Sequence, residues 1–199
     1  MGFVNVRSKE VQVKIVYYGT GRGGKTTNLE FVNRNYQERI KSKMVSLKTH
    51  GDRTLFFDFL PFDMGKIKGY DVKIQLYTVP GQVKYNATRR IVLKGVDGLV
   101  FVADAQKEQR QKNIDSLNQL FENLATYNLD LYKIPFVMQY NKMDMDKDLI
   151  LPVEVLQRDL NSRLKAPAFM ASAINGGNVV ATLKKIISLT MVSVQNELL

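Results

Sequence analysis

Residues 11 to 27, VQVKIVYYGTGRGGKTT, constrain the fold more than any other stretch. Val11, Val13, Ile15, Val16, Tyr17 and Tyr18 make an apolar run of buried-strand length. Gly19, Gly24, Lys25 and Thr26 then fit the spacing G-x-x-x-x-G-K-[ST], and a helix-forming stretch (Asn28, Leu29, Glu30, Phe31, Val32) follows. The spacing has a physical cause. Glycines let successive backbone N–H groups turn inward as a nest for anionic oxygens, and the positive end of the next helix adds to that field. Lys25 can reach outer phosphates and the Thr26 hydroxyl can ligate a magnesium ion. The alternative is a Gly-rich turn carrying a chance lysine. The strand before and the helix after favour a nucleotide site made of Gly19, Gly21, Arg22, Gly23, Gly24, Lys25, Thr26 and Thr27.

The length of 199 residues predicts one domain spanning 1–199. No apolar stretch approaches the ~20 residues of a membrane span, and the first dozen residues lack a secretory signal's apolar core. Stable membrane insertion is therefore not expected, and a cytoplasmic protein is. With no cysteine, disulfides and thiolate metal sites are excluded, and the single histidine, His50, builds no cluster. The net charge of +10 asks for a partner or a reason. Nucleic acid, anionic lipid or an acidic protein can each exploit such a field. No aromatic-plus-basic recognition motif supports nucleic acid. Lys66, Lys68, Lys84, Arg89, Arg90 and Lys94 read as surface cations suited to an acidic partner.

Strands are expected at 11–18, 54–62, 70–79, 96–105, 134–140 and 168–173. Helices are expected at 25–40, 108–127, 152–163 and 178–196, with 41–53 a surface loop and 82–94 a mobile loop or poor helix. The 63–69 connection reads as a hairpin, which implies one antiparallel edge strand. Strands alternating with helices predict an α/β fold of the P-loop NTPase kind. Its sheet is six-stranded and mostly parallel, with helices on both faces and the ligand at the strands' carboxyl edge.

Asn141-Lys142-Met143-Asp144 follows a strand and points to the base. A carboxylate only accepts hydrogen bonds, and guanine presents two donors side by side where adenine presents an acceptor at N1. A pocket built on Asp144 thus favours guanine strongly. The Lys142 stem can lie along the base, Asn141 can tie this loop to the phosphate loop, and Ser172-Ala173 can offer a backbone N–H to the guanine oxygen. The ligands expected are GTP or GDP with Mg2+. Asp144 argues against an adenine-specific or nucleic-acid-coupled NTPase.

In these segments, taken with DRTLFFDFLPFDMG, LYTVPGQVKYNATRR and KIPFVMQYNKMD, the chain resembles the small Ras-like GTPases, and within them the MglA family of bacterial polarity and motility GTPases. The resemblance implies a GTP/GDP switch, a Roadblock/LC7-type activating partner of the MglB kind, RomR-like polarity or motility effectors, and recruitment to a cell pole. It implies that Thr54 joins the metal, that Arg53 is a built-in arginine finger, and that Gln82, after Gly81 of the nucleotide site, orients the attacking water. Two departures stand out. Thr78 of TVPGQ replaces the usual magnesium-associated aspartate, so Asp58 is the expected substitute, with Asp104 behind it. Arg22 places a bulky cation in the phosphate loop, which can either strengthen phosphate binding or crowd the γ-phosphate, and good GTP binding with slow hydrolysis by the protein alone is the expectation. The rival reading is a guanine-nucleotide-binding scaffold with little or no turnover.

Overall fold

The computed structural model describes residues 3–5, 7–40, 44–48, 56–81 and 85–197. Its layers follow from side-chain alternation along β2 (Glu10–Gly19). Val16 and Tyr18 face one way, into a core shared with Leu117, Leu120 and Leu124 of α3 (Arg110–Ala125). Val13, Ile15 and Tyr17 face the other way, against Leu29 and Val32 of α1 (Lys25–Asn35) and Leu183 and Ile186 of α5 (Val179–Glu197). A period of two buried on both sides is what a central strand between helix layers requires. β6 (Gly98–Asp104) has all seven residues buried for the same reason.

The remaining described strands are β1 (Phe3–Asn5), β3 (Val45–Lys48), β4 (Phe56–Ile67), β5 (Tyr70–Thr78), β7 (Phe136–Asn141) and β8 (Ala168–Met170). Their order is β3-β4-β5-β2-β6-β7-β8, with β1 antiparallel on β2. β5, β2, β6, β7 and β8 run parallel, and β4 is antiparallel to both neighbours. Chain order reverses between β2 and β6, so the crevice at their carboxyl ends is the fold's natural ligand site.

The expected α/β architecture is present, but the sheet has eight described strands rather than six. β3 forms within the stretch read as a loop, because pairing with β4 supplies what its weak alternation does not. The hairpin connection is also shorter than 63–69. β4 continues to Ile67, a register shift between Asp63 and Gly65 leaves Met64 out of the pairing, and only Lys68-Gly69 turn the chain. Pro61 lies inside β4 but beyond the four residues that β3 pairs, so its missing N–H removes no ladder bond there. Of the two readings of 82–94, the helix is the one present over α2 (Asn86–Leu93). The helix after Pro152 is α4 (Val153–Leu156) followed by a π turn at Gln157–Asn161.

α5 crosses β6 at very close range. A Cβ added at Gly98 would lie 2.3 Å from Thr190 Oγ1 and 3.3 Å from Ile186 Cδ1. Gly98→Ala should therefore destabilise the protein by about 1–3 kcal/mol in urea unfolding. Adding Thr190→Ala should recover part of that loss, because it removes the atom in the way.

Candidate functional site

Four loops meet at the carboxyl edge. The first joins β2 to α1. Gly24 has φ 99° and a Cβ there would fall 2.1 Å from Asn141 Nδ2, so only glycine fits. Arg22 also lies in the left-handed region (φ 60°), with its side chain exposed. Lys25 is buried, and its ammonium donates to Gly19 O (3.1 Å) and Thr20 O (2.6 Å). Burial, then the nearby Arg89 charge, lowers the Lys25 pKa to about 7, and Asp58 offsets only part of this. The buried Thr20 hydroxyl has no hydrogen-bond partner, an open polar atom inside the same loop. Among the described residues, then, the loop holds a strained cation and an unsatisfied hydroxyl, both features that an anionic ligand relieves.

The second group lies around Asp58. Because β4 runs antiparallel, its first residues sit at the edge where the parallel strands end. Asp58 Oδ2 accepts from Thr26 Oγ1 (2.6 Å) and Thr78 Oγ1 (2.7 Å), and Oδ1 accepts from Ser46 Oγ (2.7 Å). The Asp58 amide in turn donates to Thr78 Oγ1 (3.0 Å). A carboxylate and a hydroxyl side by side are the hard oxygen donors Mg2+ takes, so these residues fit that ion. Asp104 is engaged elsewhere: its carboxylate pairs with Lys142 Nζ at 2.6 Å.

The third loop follows β7. Asn141 Nδ2 donates to Gly23 O (2.8 Å), and Asn141 Oδ1 accepts from Ala173 N (2.8 Å). One side chain thus joins three segments. Beneath it, Gln139 exchanges hydrogen bonds with Asn28 and donates to Thr182 Oγ1 (3.1 Å), a buried network under the phosphate loop. Lys142 lies at φ 70° and also donates to Gln106 Oε1 (2.9 Å), while Asp144 is exposed on the rim. The Ser172 amide donates to Gly177 O (3.0 Å) and the Ala173 amide to Asn141, so both N–H groups offered to a base oxygen already serve protein acceptors.

The fourth segment follows β5. A Cβ on Gly81 would lie 2.1 Å from Gly21 Cα, so this backbone rests directly on the phosphate loop. Arg89, read from sequence as a surface cation, is instead 1% exposed. Its guanidinium donates to Pro80 O (2.8 Å), Gly81 O (2.5 Å), the Tyr18 hydroxyl (3.4 Å) and Gln119 Oε1. In NATRR nothing separates Arg89 from Arg90 except position. On a helix starting at Asn86, Arg89 shares the inward face with Val92 and Leu93. Arg53, Thr54 and Gln82 lie outside the described residues.

The Ras family matches residues 14–191. The chain belongs to the Ras family. It is 48% identical over 191 residues to the mutual gliding-motility protein MglA of Myxococcus xanthus, covering 96% of each protein. It is also 25% identical over 172 residues to the Ras-related protein Rab7 of Drosophila melanogaster, covering 86% of this chain and 76% of that one. Family membership makes this protein a small GTPase, with guanine nucleotide as ligand and GTP hydrolysis as its reaction. No described helix is long and apolar enough to cross a membrane.

The lowered Lys25 pKa makes stability depend on pH. Between its folded value of about 7 and the ordinary 10.5, the unfolded chain binds the extra proton, so raising the pH favours the folded state. Nucleotide-free protein should therefore gain stability relative to Lys25→Met from pH 7 to 10. Below pH 7 the Met variant should hold its largest advantage, and thermal melts across this range check both.

Proposed function

We propose that this protein is an MglA-type switch that alternates between GTP and GDP states and hydrolyses GTP slowly on its own. The observation that carries the reading is the Asn141 side chain joining the phosphate loop at Gly23 to the base-side loop at Ala173. It ties the phosphate loop to the segments around the strand end that carries Asp144, so that one nucleotide spans both. Gly21 and Gly24 present backbone N–H groups to the phosphates, and the Gly23 N–H, which donates to Thr20 O (3.3 Å), turns to them when the ligand binds, with Arg22, Thr27 and Gly81 bordering them. Lys25 exchanges its carbonyl partners for phosphate oxygens and regains full charge. Asp144 takes the two guanine donors, and Lys142, held by Asp104, lines the base. The base oxygen shares the Ala173 donor, with Ser172 shaping that turn.

Thr26, Asp58 and Thr54 would hold Mg2+, with Asp58 supplying the carboxylate that Thr78 lacks. When bound, the ion neutralises charge on the phosphate oxygens. Arg53 stabilises the charge that develops during transfer, and Gln82 positions the attacking water. The likeness to a mutual gliding-motility protein across 96% of the chain supports a role in gliding motility, and the proposed role extends to cell polarity and pilus-based motility. In that role a Roadblock/LC7-type, MglB-like protein activates hydrolysis, RomR-like effectors read the GTP state, and the protein gathers at a cell pole. A second reading, a guanine-nucleotide scaffold without turnover, draws on the arginine at position 22 of the loop.

GTP turnover with and without a Roadblock-type partner separates these. Slow release of phosphate, faster with the partner, supports the switch; nucleotide retained without turnover in both cases supports the scaffold. Asp58→Asn should weaken the Mg2+ dependence of GDP retention on the order of 10-fold or more, measured by magnesium titration of nucleotide release. GTP binding at about pH 8 should take up close to one proton, because Lys25 enters the reaction mostly neutral and leaves it charged. Calorimetry in buffers of different ionisation enthalpy reads that uptake, and Lys25→Met should abolish it.

A further inference from the structure

The edge of the sheet opposite the phosphate loop is lined with lysines. Lys9 O accepts from the amide of Asp71 (2.8 Å), and Lys66 pairs with that same residue across the hairpin. Lys68 forms the hairpin turn, and Lys94 precedes β6, its carbonyl accepting from Lys14 Nζ (2.9 Å). Lys133 and Lys165 each stand two residues before a proline whose carbonyl opens the next strand pairing, Pro135 O to Leu99 N and Pro167 O to Met138 N (both 2.9 Å). All six are exposed. The exposed acids of these turns are Asp71 and Asp130, and Asp130 caps its own turn through the Tyr132 amide (3.0 Å).

Three of these lysines sit where the backbone disfavours them. Lys9, Lys68 and Lys165 have φ of 51°, 49° and 49°. Glycine relaxes such positions, and asparagine tolerates them through local hydrogen bonds that lysine lacks. The chain thus keeps ammonium groups on one edge against its local backbone preference. The row runs from the β4–β5 hairpin across β5, β2, β6, β7 and β8, roughly 20 Å at the usual strand spacing.

We propose that this edge docks on an anionic lipid bilayer, with the nucleotide edge turned away from the membrane. A broad, shallow row of point-charge ammonium groups matches a plane of headgroups, to which each lysine contributes additively. A specific protein partner needs an apolar centre that excludes water. Among the described residues the exposed aliphatic side chain at these turns is Ile91, whose carbonyl accepts from the Lys94 amide (3.3 Å), an isolated group and not an apolar centre. Tyr132, 59% exposed beside Lys133, is an aromatic suited to the headgroup region. The contact is peripheral and independent of the nucleotide site.

Co-sedimentation of the full chain with phosphatidylcholine vesicles, with and without about 30% phosphatidylglycerol, tests this at low and high salt. Binding only to the anionic vesicles, lost at high salt, is the expected result. Lys9→Gly, Lys68→Gly and Lys165→Gly combined should weaken it on the order of 100-fold, with a melting temperature equal to or above the parent's because each glycine relaxes a left-handed residue. Lys107→Gln, Lys112→Gln and Lys147→Gln combined, which removes the same charge away from this edge, should leave binding near the parent level. Equal loss in both triple variants, or binding to neutral vesicles, overturns the proposal. So does tighter binding to duplex DNA or polyglutamate than to the anionic vesicles.

Discussion

A single carboxamide sets the geometry of the site. Asn141 lies 118 residues from Gly23 and 32 from Ala173, yet holds a hydrogen bond to each. Its position is inherited from β7, which is locked between β6 and β8 with every residue buried. From that rigid strand end the side chain reaches the phosphate loop, and the clearance at Gly24 is so small that no other residue type leaves room for it. The Asn28–Gln139–Thr182 network carries the same constraint downward into α1 and α5. Fully satisfied buried networks of this kind favour one arrangement over its neighbours.

The Asp58 group shows how sheet direction relocates a charge. Thr78 ends a parallel strand at the carboxyl edge, where an acid would face the phosphate loop directly. Here the acid stands one strand over, and it reaches the same hydroxyl, Thr26 Oγ1, because antiparallel β4 begins at the edge where β5 finishes. Thr78 then serves the carboxylate as a hydrogen-bond donor.

Much of the fold was legible because its signals are local. The period-two burial of β2, the continuous apolar run of β6 and the strand–glycine–helix junction at 19–26 each declare themselves within a few residues. β3 was not legible, since a four-residue strand depends on its partner more than on its own pattern. The motif residues of the site were readable as types and spacings, but not their partners. Nothing in the sequence pairs Lys142 with Asp104 or gives the Ala173 amide to Asn141. Arg89 misled most. Charge suggests surface, and only the inward face of α2 with four waiting acceptors makes burial of a guanidinium tolerable.

Those four acceptors have a mechanical meaning. The guanidinium is all donor, so Arg89 can leave Pro80 O and Gly81 O only by exchanging them for water or another oxygen. The peptide at Gly81, pressed against Gly21, is therefore riveted through α2 to Gln119 on α3. Lifting it away from the phosphate loop means shearing the rivet in one step, and the displacement is felt two helices away.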